Sequence, residues 1–239
     1  MTSPTGLFTD HETKAIVLLS GGLDSATTLH IAIERCFRPV ILTFDYGQRH
    51  AHELEAAKKI AIALGCRDHA ILRIDPGLFR GSALVGGEID VPRGRVIDES
   101  IPVTYVPARN ILFLSHALAL AESLAIHDIF VGVNSLDYSG YPDCRAEFLE
   151  AFERMAALGT KTGSEGRPVK IHAPLIHMTK AEIIREGLRL GCDYSLTSSC
   201  YDPAPDGEPC GLCDSCRLRQ RGFAEAGKRD PLLDRYYYS

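Results

Sequence analysis

KAIVLLSGGLDS, residues 14–25, decides the fold of this chain. Ala15–Leu19 is a short apolar run rich in strand-favouring residues and reads as a buried strand. The run stops at Ser20-Gly21-Gly22. Asp24-Ser25 then open a segment through Arg35 whose apolar residues, Ala26, Leu29, Ile31 and Ile33, follow a helical pattern. Two glycines between a strand and a helix let the backbone turn tightly and approach a ligand closely. Successive N–H groups at the positive end of a helix make an anion-binding concavity, to which Ser20 and Ser25 add hydroxyl donors. A Gly-Gly pair alone also serves as a plain strand–helix turn. The string S-G-G-x-D-S is more specific, because small, hydroxyl and acidic residues sit at fixed offsets. It is neither a Walker A loop, lacking Gly-Lys-Ser/Thr, nor a dinucleotide G-x-G-x-x-G.

The string resembles the pyrophosphate-binding loop of the ATP-pyrophosphatase (PP-loop) families. That resemblance implies that Leu18, Leu19, Ser20, Gly21, Gly22, Leu23, Asp24 and Ser25 hold the phosphates of ATP. It also implies transfer of AMP to a substrate oxygen with release of pyrophosphate.

Outward from the loop, strands and helices alternate. Val40–Phe44 reads as a strand, Ala51–Leu64 as a helix closed by Gly65, and His69–Ile74 as a strand. Ile111–Leu124 is a strongly apolar helix, Asp128–Gly132 a fourth strand, Glu147–Leu158 a helix and Val169–Ala173 a fifth strand. Thr179 and Glu182 form a capping box for a helix over Lys180–Leu190, which Gly191 ends. This alternation predicts an α/β fold, a doubly wound parallel sheet with ligands at the C-terminal strand ends. Residues 75–104, rich in Gly and Pro, break the rhythm and read either as a lid or as a surface excursion. Residues 134–145 form a loop dense in hydrogen-bonding groups, and residues 161–167 are polar. We divide the chain into a flexible stretch 1–13, an α/β domain 14–195 and a C-terminal module 196–239.

The 239 residues are 45% hydrophobic and 24% charged, ordinary for a globular protein. A net charge of −5 argues against a generic electrostatic grip on nucleic acid. No apolar run reaches membrane-spanning length, and the N-terminal segment lacks a signal-peptide pattern, so a cytoplasmic location is expected. Of eight cysteines, Cys36, Cys66, Cys144 and Cys192 are dispersed, whereas Cys200, Cys210, Cys213 and Cys216 are clustered. Four thiolates at this spacing suit tetrahedral Zn²⁺ in a closed, structural site. An iron–sulfur cluster or a redox pair in C-G-L-C is the alternative.

Six stretches together resemble the QueC family of queuosine biosynthesis. They are LLSGGLDS (18–25), TFDYGQRH (43–50) with Glu53, VPARN (106–110), LDYSGYPDCR (136–145), PLIHMTKAEI (174–183) and the cysteine region with its GF (199–223). The resemblance spans residues 14–231 and implies a Rossmann-like domain of the adenine nucleotide alpha hydrolase type. It implies conversion of 7-carboxy-7-deazaguanine and ammonia to the 7-cyano product, with two ATP, Mg²⁺ and one structural Zn²⁺. Asp24, Arg109, Lys161 and Lys180 are then the expected catalytic charges. Asp24 would bind Mg²⁺ or cap the helix. Asp137, Tyr138, Tyr141 and Asp143 are candidates for the deazaguanine, by accepting hydrogen bonds or stacking, although turn formation would also explain them. His50 with Glu53 would assist proton transfer, or His50 caps a helix. A homodimer is expected from relatives, and neither direct nucleic-acid binding nor a membrane is.

Two rivals remain at this point. One keeps the loop and changes the substrate, to a tRNA-thiolating or amide-forming ATP-pyrophosphatase. The other is a zinc-stabilised nucleic-acid-binding module without catalysis, against which the net charge counts.

Overall fold

The computed structural model describes residues 13–49, 52–95, 100–136 and 141–237. His50, Asp137 and Tyr138 lie outside the described residues. In chain order the elements are β1 (Lys14–Leu18), α1 (Leu23–Glu34), β2 (Arg38–Asp45), α2 (His52–Ala63), β3 (His69–Arg73), α3 (Arg109–Ser123) and β4 (Asp128–Phe130). They continue with α4 (Ala146–Gly159), α5 (Lys161–Ser164), β5 (Lys170–His172), α6 (Lys180–Arg189), α7 (Asp214–Glu225) and α8 (Pro231–Tyr237). The five strands form one parallel sheet in the order β3-β2-β1-β4-β5. This is the expected doubly wound fold.

The sheet is wound on both faces because its central strands are apolar on both. Ile16 and Leu18 of β1, with Val40, Leu42 and Phe44 of β2, pack under α3 and α4. Ala15 and Val17 of β1, with Ile41 of β2, pack under α1, α2, α6 and α7. Alternate side chains of a strand point to opposite faces, so a continuous apolar run is what such a strand requires. Winding proceeds from β1 to β3, then returns to β4 on the other side of β1. Chain leaving the C-terminal ends of β1 and β4 therefore diverges and leaves a crevice.

Three helices escape the sequence reading: α5, α7 and α8. Part of the stretch 75–104 packs into the core, while Leu78, Ile101 and Val103 stay exposed. Phe79, Ala83 and Leu84 are fully buried and join the core beneath α3 and α4. Gln48 and Val85 form an isolated antiparallel bridge that ties the stretch to the chain after β2. Apolar burial, rather than regular hydrogen bonding, holds it.

Glycines set the spacing of the α1, α6 and α7 layer. A Cβ on Gly187 of α6 would collide with the hydroxyl of Tyr194, itself fully buried. A Cβ on Gly222 of α7 would collide with the stem of Lys180. The Tyr194 hydroxyl donates to the carbonyl of Ile183 at 3.1 Å and lies 2.7 Å from Thr27 Oγ1, so it has no freedom to yield. Overpacking a site of this kind costs about 1–3 kcal/mol. Gly187→Ala is accordingly expected to lower the urea midpoint without changing the slope of the transition.

Candidate functional site

The turn after β1 is shaped by a close approach. Gly21 has φ +93°, and a Cβ there would collide with the carbonyl oxygen of Glu53 and the backbone nitrogen of Ala57 in α2. Only glycine satisfies both the dihedral and the contact. Gly22 is the N-cap of α1 and offers no side chain. Ser25 Oγ donates to the Gly22 carbonyl at 3.0 Å and accepts from the Ser20 N–H at 3.2 Å. Ser20 Oγ accepts from the Gly22 N–H at 3.2 Å, and the two hydroxyls lie 3.0 Å apart. The motif's serines thus hold the turn as well as facing whatever enters it.

A cleft of about 200 Å³ opens beside this turn at the switch point. Leu18–Ser20 and Gly22–Ser25 line it, with Val131–Asn134 after β4 opposite. Gly132 allows that close passage, since its Cβ would sit 3.1 Å from the backbone of Asp24 and Ser25. Phe44, Phe113 and Leu84 give the cleft an apolar side.

Three charged groups named from sequence meet there. Lys180, the first residue of α6, reaches both carboxylate oxygens of Asp24 at 2.6 and 2.8 Å. Its side chain is 6% exposed and that of Asp24 20%. The predicted capping box is present, with Thr179 Oγ1 accepting from the Glu182 N–H, and it fixes the helix start that carries Lys180. Asp24, in the first turn of α1, directs its carboxylate at Lys180. Arg109 begins α3 after Ala108, which takes the left-handed φ of +54°. Burial disfavours the Arg109 charge, but neighbouring Tyr46, Cys144, Tyr141 and Asp143 more than offset this, so it stays cationic.

The remaining named residues separate. Tyr141 lines the cleft, its hydroxyl 2.9 Å from Thr104 Oγ1, and burial raises its pKa. Asp143 is buried behind the cleft, where its carboxylate accepts from the Asn110 N–H at 3.0 Å in the first turn of α3. Its charge is among those that keep Arg109 cationic. Lys161 is not brought to the cleft; its side chain is 80% exposed and lies 3.8 Å from Glu165. The sequence reading did not single out Ser199, Tyr201, Ser215 and Arg219, which also line the cleft. Ser215 and Arg219 share one face of α7 at i, i+4 spacing, a signal that required α7 to be recognised as a helix.

The four clustered cysteines converge, their sulfurs all within 4.8 Å of one another. Tetrahedral Zn–S bonds of ~2.3 Å place sulfurs about 3.8 Å apart, so the donor set fits one such ion. Backbone N–H groups point at the sulfurs: Cys210 and Asp202 to Cys200 at 3.2 and 3.4 Å, Tyr201 to Cys213 at 3.5 Å, and Cys213 to Cys210 at 3.4 Å. Such donors favour thiolates over thiols. The cluster could hold a metal, and its four sulfurs leave no open tetrahedral position.

A family model described as "Queuosine biosynthesis protein QueC" matches residues 14–227. The 7-cyano-7-deazaguanine synthase of Paramagnetospirillum magneticum is 62% identical over 220 residues, covering 91% of this chain and 96% of that protein. That of Syntrophotalea carbinolica is 60% identical over 219 residues, covering 91% and 95%. Among solved structures, a 4-thiouridine synthetase–RNA complex with bound ATP matches with a TM-score of 0.50 at 19% identity, covering 93% of this chain and 52% of that one. That likeness shows a shared fold.

The other cysteines differ in reactivity. Burial pushes the thiol pKa of Cys66 up to about 11, and those of Cys144 and Cys192 up to about 12. These three are neutral at pH 8, whereas Cys36 is exposed. With metal on the cluster, Ellman's reagent at pH 8 should titrate Cys36 rapidly and the rest only after unfolding and chelation.

Proposed function

The chain belongs to the QueC family of queuosine biosynthesis, the family of the 7-cyano-7-deazaguanine synthases it resembles, and from that premise we propose an ATP-dependent conversion of 7-carboxy-7-deazaguanine and ammonia to the nitrile, through an adenylated acid and an adenylated amide. The observation that carries this reading is that Asp24, Lys180 and Arg109 surround one cleft whose floor is the S-G-G-x-D-S turn. The bound ATP of the 4-thiouridine synthetase complex supports placing ATP in this fold.

A carboxylate oxygen is a poor leaving group, and adenylation changes that. The substrate carboxylate attacks the α-phosphorus of ATP, and pyrophosphate leaves. Ammonia adds to the acyl carbon, a proton is lost, and AMP departs to leave the primary amide. The amide oxygen then attacks a second ATP with loss of pyrophosphate. Breaking the C–O bond with loss of the remaining N–H protons yields the nitrile and a second AMP. Both rounds need the same groups, so one cleft serves both if the heterocycle stays bound.

In this scheme Leu18–Ser25 hold the β- and γ-phosphates. Lys180 and Arg109 stabilise negative charge that grows on the phosphates as pyrophosphate separates. Asp24, released from Lys180 when phosphate arrives, would hold Mg²⁺, whose charge screens the phosphates. Tyr141 lies against the heterocycle, and Asp143 positions Arg109 through the first turn of α3. Lys161, solvated and beside Glu165, has no part. Residues 196–239 form a module in which Cys200, Cys210, Cys213 and Cys216 would hold one structural Zn²⁺.

The reading is tested by supplying 7-carboxy-7-deazaguanine, ammonium, Mg²⁺ and ATP. Mass spectrometry should find the nitrile, with two AMP and two pyrophosphate per product. Amide with one AMP would overturn the second adenylation. Lys180→Ala should lower kcat by about 10²–10³-fold, the usual loss when one preorganised charge donor is removed. Lys161→Ala should leave kcat within about 2-fold, as is usual for an exposed pair.

A further inference from the structure

Resting on the phosphate-loop reading above, we propose that Ser199 is a further phosphate-binding hydroxyl, supplied by the cysteine module, and that Arg219 is its positioning residue. Ser199 lines the cleft, and its Oγ lies 3.9 Å from where a Cβ on Gly22 would stand. The segment carrying it runs along the phosphate turn, with the Ser198 N–H donating to the Gly21 carbonyl at 2.9 Å. One residue later comes Cys200, whose sulfur accepts from the Asp202 and Cys210 N–H groups.

Hydrogen-bond accounting assigns the direction of the hydroxyl. A serine hydroxyl has two lone pairs and one proton. The Leu23 N–H and Arg219 Nη1 each donate to Ser199 Oγ, both at 3.4 Å. With both lone pairs facing donors, the hydroxyl is left as a donor. Ser199 is half-buried on the cleft wall, so its proton goes to water when the cleft is empty and to an acceptor-only phosphate oxygen when one displaces that water.

Arg219 does not fill the role itself. Its Nε and Nη2 donate to the two oxygens of Asp230 at 2.6 and 2.8 Å, Nη2 also to the Tyr194 carbonyl at 3.0 Å, and Nη1 to Thr197 Oγ1 at 2.7 Å. With the Ser199 bond, all five of its N–H donors are used. Its charge is balanced by Asp230, and its effect reaches the cleft through Ser199. A donor from a guanidinium polarises the hydroxyl and strengthens the bond it gives in turn.

The experiment is calorimetric titration of the metal-loaded full chain with inorganic pyrophosphate and Mg²⁺, beside steady-state kinetics. Ser199→Ala should bind pyrophosphate about 10-fold more weakly, the loss of one hydrogen bond to a charged group. KM for ATP should rise to match, with KM for the heterocycle and metal content unchanged. Ser199→Thr keeps the hydroxyl and should stay within about 3-fold of the parent. Arg219→Lys, which keeps charge but loses the fork, should show the Ser199→Ala loss, and the double variant no further loss. Unchanged or tighter pyrophosphate binding by Ser199→Ala would overturn the proposal, as would Thr behaving like Ala. Pyrophosphate failing to bind the parent chain would instead overturn the phosphate-loop reading, and this proposal with it. Should Arg219→Lys not fold, the two Ser199 variants decide alone.

Discussion

The central strand β1 is hydrogen-bonded along both edges and covered on both faces, and everything at the site depends on that enclosure. A strand so placed can release its chain only at its end. Leu19 prolongs the ladder by one bond to Leu42, and the next three residues must then reverse the direction of the backbone. There is no room for a side chain at Gly21 against α2, nor on the facing exit at Gly132 without pressing on α1. Close packing of strand, turn and helix leaves the Ser20–Gly22 backbone at the floor of a crevice. The same reversal of winding that opens the crevice brings the end of β4 to face it.

Charge is taken into this crevice at a desolvation cost. Arg219 with Asp230 is nearly out of water and Lys180 with Asp24 largely so, and each pair is bidentate. Pairs of this kind add little net stability, because removal from water offsets their attraction. Removing one partner leaves the other unsatisfied, at roughly 3–5 kcal/mol. Their consequence is geometric: each fixes where two elements meet. Lys180 joins the start of α6 to the first turn of α1. Arg219 joins α7 to the chain at Tyr194, Thr197 and Ser199.

The cysteine-bearing segment is gripped from two sides. Phe223 of α7 meets Tyr194 edge-on at 5.7 Å within the core shared with α1 and α6. From the other side, the irregular stretch after β3 donates from the Gly94 N–H to the Leu212 carbonyl at 3.1 Å and pairs Arg93 with Asp202 at 2.8 Å. A metal in the cluster would stiffen the segment 198–201 lying along the turn after β1. Stretches that lack regular structure therefore carry much of the positioning, through burial and specific polar contacts.

The sequence by itself determined the sheet, its strands and most of its helices, because strand and helix periodicities and the capping box at Thr179 are local. It also determined the turn after β1, whose glycines and hydroxyls answer to a backbone requirement visible within six residues, and the clustering of the four cysteines that converge. The burial of Phe79, Ala83 and Leu84 within the stretch 75–104 was not legible locally, because it comes from distant partners. Helix α7 escaped because charged and polar residues dominate its composition and its apolar face, Leu218 and Phe223, is short. Only the tertiary structure decided which charges meet. Lys180 and Asp24 are far apart in the chain, Lys161 turned outward, and Ser199 and Arg219 reached the cleft. Such pairings depend on how helices dock across the sheet, and docking is set by close contacts at Gly187 and Gly222 that no local pattern encodes.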